Sequence, residues 1–187
     1  GSWNTNIGYF AGYANTSNSN RTVVGTEAAL YNTGADNTII GYQAAYGASG
    51  SSTGDKSTII GYYAGRAITS GDSNVLIGYN AGLALTVADD NVFIGNNAGD
   101  AFNNTDGDGR NVAVGSESGG ALTTGIYNTF LGYQSGNSAG GTSATVTTGN
   151  FNTMVGYQAR GSATGAANQN SFGYAAACTG DNQITLG

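Results

Sequence analysis

A fixed order of polar and apolar residues precedes a glycine that returns along the whole chain. The stretch Asn74-Val-Leu-Ile-Gly-Tyr-Asn-Ala-Gly82 shows the pattern: an amide, three residues suited to a strand, glycine, often tyrosine, then small residues. We call each such glycine an anchor; the anchors are Gly8, Gly25, Gly41, Gly61, Gly78, Gly95, Gly115, Gly132, Gly156, Gly173 and Gly187. Successive anchor numbers differ by 17, 16, 20, 17, 17, 20, 17, 24, 17 and 14. A fixed motif, here called the phrase, separated by segments of variable length, here called the filler, is typical of a solenoid.

Two columns of residues before the anchors predict a short strand in each coil. We number these columns by their distance before the anchor, so the first preceding column is the residue directly before it. The first preceding column is apolar throughout: Ile7, Val24, Ile40, Ile60, Ile77, Ile94, Val114, Leu131, Val155, Phe172 and Leu186. The third preceding column is β-branched in nine coils: Thr5, Thr22, Thr38, Thr58, Val75, Val92, Val112, Thr129 and Thr153. β-Branched residues favour strands, and period-two alternation puts both columns on one face. We expect strands of about four residues with the first preceding column buried inside the roll.

The residues around the anchor predict a second wall close to the first. Glycine suits a corner, where φ is positive or the backbone passes close to its neighbour. The third residue after the anchor is small: Ala11, Ala28, Ala44, Ala64, Ala81, Ala98, Ser118, Ser135, Ala159 and Ala176. Small side chains there indicate a flat two-sheet roll with a thin interior. The expected fold is therefore all-β, a parallel β-solenoid of about eleven coils with two short strands in each and essentially no helix.

An amide recurs at the fourth position before the anchor. The seven copies are Asn4, Asn37, Asn74, Asn91, Asn111, Asn128 and Asn152. Asn stacked on Asn in successive coils can form an amide ladder, and Asn also tolerates turns. The filler rich in Gly, Ser, Thr, Asp and Asn, namely Gly47–Asp55, Asp100–Arg110 and Asn137–Gly149, is predicted to form outward loops. Trimming the last of these to the common spacing is expected to leave the core intact.

The second preceding column predicts self-association. It points opposite to the columns assigned to the interior, yet it is apolar over eight coils: Val23, Ile39, Ile59, Leu76, Phe93, Ala113, Phe130 and Met154. A single roll with this column outside would expose it to water and invite aggregation. We therefore expect these residues to form an interface between copies of the chain.

Tyrosine follows the anchor directly in seven coils. The column comprises Tyr9, Tyr42, Tyr62, Tyr79, Tyr133, Tyr157 and Tyr174. Exposed rings would stack on sugars or on a partner surface, or else fill a seam between subunits with their hydroxyls in water. The glycine corner changes the direction of the next side chain. The odd or even spacing of Tyr from the strand residues therefore does not decide between these two interpretations. The structural seam is the favoured one.

Composition and charge exclude several classes of function. The net charge is −6, with five scattered basic residues and no histidine, so no basic stripe is present for nucleic acid. No apolar run reaches the roughly 20 residues of a membrane span. The lone Cys178 permits no internal disulfide and is expected to be a small buried residue. Gly1-Ser2 resembles a cloning remnant, so residues 1–3 are set apart as a lead-in and residues 4–187 are treated as one repeat domain.

Candidate chemistry is sparse. Asp106-Gly-Asp-Gly-Arg-Asn111 resembles part of a calcium loop, so calcium at Asp106 and Asp108 is considered, but the bidentate Glu is missing and a solvated turn is favoured. Catalysis would need a base, and the chain has no histidine, while its acids sit in separate loops. We therefore expect no enzymatic activity and no cofactor.

The phrase resembles the repeats of trimeric autotransporter adhesin heads, in which Asn-x-Val-Ala-Ile-Gly is followed by small residues. It is also similar to the Asn-Thr-x-Ile-Gly-Tyr-Asn-Ala-Gly arrays of phage tail fibres. The resemblance covers residues 4–187 and implies a left-handed parallel β-roll that associates as a homotrimer. The longer coils and the Tyr after the anchor depart from the adhesin-head pattern.

Three functions follow as hypotheses. The first is a structural and adhesive fibre module, extracellular on a bacterial surface or a virion tail fibre, with a cell-surface glycan, protein or other surface ligand as partner. The second is an ice-binding solenoid, suggested by the Thr column but weakened by its three Val and its expected position beside buried Ile. The third, a polysaccharide-degrading spike, lacks a visible carboxylate cleft.

Overall fold

A computed structural model describes residues 1–49, 52–137 and 145–187. In these ranges the chain forms eleven short strands: β1 (Thr5–Ile7), β2 (Thr22–Val24), β3 (Thr38–Ile40), β4 (Thr58–Ile60), β5 (Val75–Ile77), β6 (Val92–Ile94), β7 (Val112–Val114), β8 (Thr129–Leu131), β9 (Thr153–Val155), β10 (Asn170–Phe172) and β11 (Ile184–Leu186). They pair in parallel and in chain order as one sheet. Equivalent residues are in register, as Leu76 with Phe93 and Ile77 with Ile94. The predicted parallel β-solenoid is confirmed.

Helix is absent from the part of the chain that the structure describes. No described segment therefore offers a helix long and apolar enough to cross a membrane.

Each coil contains one strand, so the prediction of two strands per coil is wrong. Beyond the glycine corner the wall consists of turns, although its backbone still bonds from coil to coil, as from Gly65 N to Ala81 O at 2.9 Å and from Gly82 N to Ala98 O at 3.0 Å. Residues there have positive φ, such as 45° at Ala45. Left-handed backbone interrupts the extended conformation that a strand requires. The strands are also one residue shorter than expected, with three positions each.

The interior is formed by the second preceding column, which corrects two expectations. Val23, Ile39, Leu76, Phe93, Ala113, Phe130 and Met154 are 0% exposed in the single chain, and Ile59 is 1% exposed. These residues pack in the core of their own roll and are not available to a second copy. The first preceding column, expected inside, points outward instead, with Ile7 59% and Leu131 46% exposed.

Both columns are apolar, so alternation showed which residues share a face but not which face lies inside. The Asn column lies two positions before the second preceding column and so shares its face of the strand. It also points inward, with Asn74 and Asn91 0% exposed. Its amides are buried and hydrogen-bonded to one another. This reversed assignment explains why residues of the core were predicted to form an interface.

A second interior column comes from the filler. Ile68, Leu85, Phe102 and Leu122 each lie seven positions after an anchor, and all are fully buried. Val146, also fully buried, takes the corresponding place in the longest interval, Gly132 to Gly156, where the extra filler moves it further along the chain. The ring centroids of Phe93 and Phe102 are 5.6 Å apart and the rings meet edge to face. Apolar residues from both walls therefore fill the core.

Three segments predicted as outward loops contribute to this interior. Ser52 in Gly47–Asp55, Phe102 in Asp100–Arg110 and Val146 in Asn137–Gly149 are 0% exposed. The prediction of outward loops is wrong at these residues, because each segment has to cross the second wall before returning to the strand. Residues 138–144 of the longest segment lie outside the described residues.

The amide ladder and the glycine corner are confirmed. Nδ2 donates to the Oδ1 of the preceding coil from Asn91 to Asn74 at 3.1 Å and from Asn152 to Asn128 at 2.9 Å. Gly78 has φ 138°, and a Cβ there would lie 2.3 Å from the carbonyl oxygen of Gly95. Only glycine fits a corner where successive backbones approach so closely.

Arg21 occupies the ladder position in the second coil and is 1% exposed. Its Nη2 donates to the Asn32 carbonyl oxygen at 2.7 Å, while Nε and Nη1 are buried without a described partner. Burial lowers the pKa of Arg21 to about 10, against an opposing effect of Asp55. Cys178 is buried, as expected, with its Sγ 3.2 Å from Ser171 Oγ.

Candidate functional site

The outward side of the sheet is the most extensive candidate surface. It carries the first and third preceding columns, which we call the strand face. Between β1 and β11 neither column contains a charged residue, and the first preceding column is Ile, Val, Leu or Phe in every coil. Its side chains range from half-buried, as Ile77 and Ile94, to 80% exposed at Leu186. The face is thus a continuous apolar stripe bordered by Thr and Val.

The strand face is long and narrow. Ten steps between strands of roughly 4.8 Å give a length of about 50 Å, and the three positions of each strand at roughly 3.3 Å give a width of about 10 Å. The product, about 500 Å², is less than the roughly 800 Å² that each partner buries in a stable complex, so an interface here would also include the residues at its two margins. An apolar patch of about 500 Å² is at the upper end of what monomeric proteins expose, and such patches are often functional.

The tyrosine column borders one margin of the strand face. Its rings stack from coil to coil in two groups, Tyr42–Tyr62–Tyr79 and Tyr133–Tyr157–Tyr174, with centroids 5.3 Å apart. Tyr9 lies apart and contacts Phe10 at 4.2 Å.

Stacking covers the ring faces and leaves edges and hydroxyls outward. Exposure is 40% for Tyr42 and 49% for Tyr79, and it rises to 75% at the last ring, Tyr174. A sugar can therefore pack flat only on a ring at the end of a group. The pKa of Tyr62 is raised to about 12, first by its hydrogen bond with Tyr63 and then by burial and the neighbouring tyrosines. Its hydroxyl stays neutral at physiological pH.

The opposite margin of the strand face carries the residues five before each anchor. Arg110 lies there, with its Nη1 2.9 Å from both Asp108 Oδ1 and the Tyr127 hydroxyl, and its Nε 3.6 Å from Asp90 Oδ2. The Tyr127 ring stacks on Phe151 at 5.2 Å. This margin is therefore charged at Asp90 and Arg110 and aromatic at the next two coils, Tyr127 and Phe151.

The calcium hypothesis gains no support from this geometry. The carboxylate of Asp108 is engaged by Arg110, and the backbone N of Asp106 donates to Asn104 Oδ1 at 2.8 Å. Across residues 1–49, 52–137 and 145–187, no group of three or more acidic, His or Cys side chains is placed to hold a metal ion.

An open cleft of about 250 Å³ lies on the second wall, lined by Asn97, Asp100, Glu117, Gly120, Ala121 and Asn137. Burial raises the pKa of Asp100, its own backbone and Ala101 oppose this through hydrogen bonds, and Glu117 adds to the rise. The pairing of Asp100 with Glu117 was not predicted from the sequence, because the two residues belong to different coils, five positions after Gly95 and two after Gly115.

Comparison with known proteins gave no match: no family model, no curated protein and no solved structure is significantly similar to this chain.

Proposed function

We propose that this chain is a non-enzymatic structural and adhesive fibre module that self-associates through its strand face. The strand face carries the proposal, because it is an uncharged apolar stripe that runs the length of the roll on the outside of the chain. The proposed location is extracellular, on a bacterial cell surface or a virion tail fibre. The module holds a binding surface away from its attachment point and mediates attachment to a cell surface or another substrate.

The energetics favour a covered strand face. Fully burying a Leu, Ile or Val side chain contributes roughly 1.5–3 kcal/mol, and these side chains are already half-buried in one chain, so each adds about half of that. Summed over eleven coils, covering the column contributes on the order of 10 kcal/mol before the cost of association. The absence of charge in both columns lets identical copies meet there although each carries a net charge of −6.

The number of copies rests on the resemblance. Two copies could cover each other by a two-fold axis, whereas three copies close around a central axis. The adhesin-head and tail-fibre repeats that the sequence resembles form trimers, so we propose a homotrimer. The interface now consists of the outward columns, with Ile77, Ile94 and Val114 near the middle of the stripe.

The test replaces two central residues of the stripe. Ile77→Asp with Ile94→Asp places a charge at two adjacent levels of the proposed interface, and we expect the sedimentation coefficient to fall to that of a monomer. Ala101→Asp with Thr105→Asp is the matched control on the exposed second wall, and it is expected to keep the assembly. An unchanged sedimentation coefficient in the first variant, with an unchanged far-UV spectrum, contradicts the proposal.

Ice binding is a second candidate because the structure points the Thr column outward. Thr38, Thr58 and Thr129 are half-buried on the open side of the sheet, not packed beside a buried column. This removes one objection raised by the sequence, while the interruption by Val75, Val92 and Val112 stands. Thermal hysteresis in the purified chain, lost in Thr38→Lys with Thr58→Lys, is the expected result for ice binding. No hysteresis eliminates this candidate.

A further inference from the structure

A cluster of three tyrosines and an arginine stands on the second wall, beyond the glycine corner, on three consecutive coils. Tyr31 and Tyr46 meet edge to face with centroids 5.3 Å apart. The guanidinium carbon of Arg66 lies 5.4 Å from the ring centroid of Tyr46 and 4.9 Å from that of Tyr63. We call these four residues the aromatic wall. The next coil carries aliphatic residues at the corresponding places, Leu83 and Ala84.

Hydrogen bonds fix the orientation of the arginine in the aromatic wall. Nε of Arg66 donates to Gln43 Oε1 at 2.9 Å, and Gln43 Nε2 donates to Glu27 Oε2. Among the described residues, the exposed side chain of Arg66 hydrogen-bonds through Nε alone. Its two terminal nitrogens therefore present an edge without a described partner, while the guanidinium carbon lies over two rings. Such an edge matches the two oxygens of a carboxylate, which a guanidinium binds with two parallel hydrogen bonds.

We infer that the aromatic wall binds an acidic saccharide, with the sugar ring packed on the tyrosines and its carboxylate on Arg66. A sugar ring presents C–H groups on its face and hydroxyls at its rim, which suits aromatic rings bordered by amide and hydroxyl groups. A neutral sugar would leave the terminal nitrogens of Arg66 without an anionic partner. A uronic or sialic acid supplies both features in one residue.

This inference rests on the proposed adhesive function, for which it names the class of ligand and its location. The aromatic wall lies beyond the glycine corner from the strand face, and only its Tyr63 touches the bordering tyrosine column, with its ring centroid 4.1 Å from that of Tyr62. Covering the strand face therefore leaves Tyr31, Tyr46 and Arg66 open. Each site can therefore be tested without the other.

The experiment measures binding of defined oligosaccharides to the whole chain by calorimetry and saturation-transfer NMR. The acidic probes are a hyaluronan tetrasaccharide and 3′-sialyllactose, and the neutral probe is N,N′,N″-triacetylchitotriose. We expect the acidic probes to bind and the neutral one to bind about tenfold more weakly, because the neutral sugar has no carboxylate for the charged fork of Arg66.

Two variants locate the site. Arg66→Gln is expected to weaken binding of the acidic probes about tenfold, because the glutamine lacks the charged fork. Tyr63→Leu is expected to weaken all probes, because it removes the ring on which the sugar packs. Arg160→Gln, near the other end of the chain, is the matched control and should bind like the wild type. Melting curves of all three variants verify that the roll is folded.

Three results overturn the inference: no binding of either acidic probe, equal affinity for acidic and neutral probes, or unchanged affinity in Arg66→Gln. If the strand-face test gives an assembly and the acidic probes do not bind, the inference fails while the self-associating module stands. If the probes bind to a monomer, the proposed self-association fails while the saccharide site stands.

Discussion

Asn74 and Asn91 are joined by two hydrogen bonds that share one oxygen. Oδ1 of Asn74 accepts from the backbone N of Asn91 at 3.0 Å and from its Nδ2 at 3.1 Å. The same relation links Asn91 to Asn111, at 3.1 and 3.3 Å. Each buried amide therefore satisfies both the backbone and the side chain of the next coil, so the polar column costs little free energy although it lies inside the roll.

Replacing one member of the ladder should be strongly destabilising. Asn91→Ala leaves the backbone N of Asn111 without its acceptor and removes one of the two acceptors of its Nδ2. A buried unsatisfied group costs about 1–3 kcal/mol, so we expect the free energy of unfolding to fall by about 2 kcal/mol or more in chemical denaturation. Asn96→Ala removes an exposed amide and should change it by less than about 0.5 kcal/mol. Equal effects of the two variants would contradict the role of the ladder.

The glycine corner gives a second prediction. Gly78→Ala forces a side chain into a backbone with φ 138° and 2.3 Å from the Gly95 carbonyl oxygen. Backbone strain of this kind costs about 1–3 kcal/mol, and the clash adds to it. We expect the melting temperature to fall by several degrees.

Gly180→Ala is the control for the corner, because a Cβ at Gly180 meets nothing within 4 Å. It should melt within about a degree of the wild type. A Gly78→Ala protein that melts like this control would show that the coils do not approach as closely as described.

The second interior column is tested at Phe102. Phe102→Ala opens a cavity beside Phe93, and loss of a buried phenylalanine costs about 3–5 kcal/mol. Thr105→Ala, an exposed position in the same segment, is expected to be neutral. The two variants should differ clearly in the midpoint of urea unfolding. If Phe102→Ala unfolds at the wild-type midpoint, the segment from 100 to 110 does not pack into the core.

The predicted coil, corner and ladder came from features that repeat at fixed offsets from the anchor. Phe102 could also have been found, since an apolar residue seven after the anchor recurs at Ile68, Leu85 and Leu122, but variable filler hides the offset when coils are aligned only by their glycines. The direction of the strand was harder, because Leu76 and Ile77 are equally apolar. Asn74 and Leu76 share a face of the strand, but only the structure shows that this face is the inward one.

The aromatic wall could not be predicted from the sequence, for a different reason. Tyr31 lies six positions after its anchor, whereas Tyr46 and Arg66 lie five after theirs and differ in chemistry, so no column contains all three. They meet because stacking brings adjacent coils about 4.8 Å apart. A site formed by side chains of several coils can be identified only once the fold is known.

Arg21 provides a prediction with a defined pH dependence. Its buried guanidinium has two nitrogens without described partners, and an incompletely compensated buried charge is costly. We expect Arg21→Met, which keeps the length of the side chain, to raise the urea midpoint at pH 7. A lower midpoint would show that the hydrogen bond to Asn32 outweighs the buried charge.

The difference between wild type and Arg21→Met should shrink as the pH rises above about 10. In the folded state the pKa of Arg21 is lowered to about 10, so folding releases its proton between that pH and the higher pKa of the unfolded chain. The unfolded chain then binds more protons, and the stability of the wild type rises with pH in that window relative to the variant. Comparing the two proteins at the same pH removes the common contribution of the tyrosines. A difference that stays constant from pH 9 to pH 11 contradicts the lowered pKa.

The central claim, that the strand face joins copies of the chain, is tested most directly by the mass of the wild-type protein in solution. Multi-angle light scattering across a range of concentrations should give three times the chain mass of 18.6 kDa. A mass of twice that value would retain the interface but replace three-fold closure by two-fold pairing. The mass of a single chain at every concentration, with the roll folded, would contradict the claim.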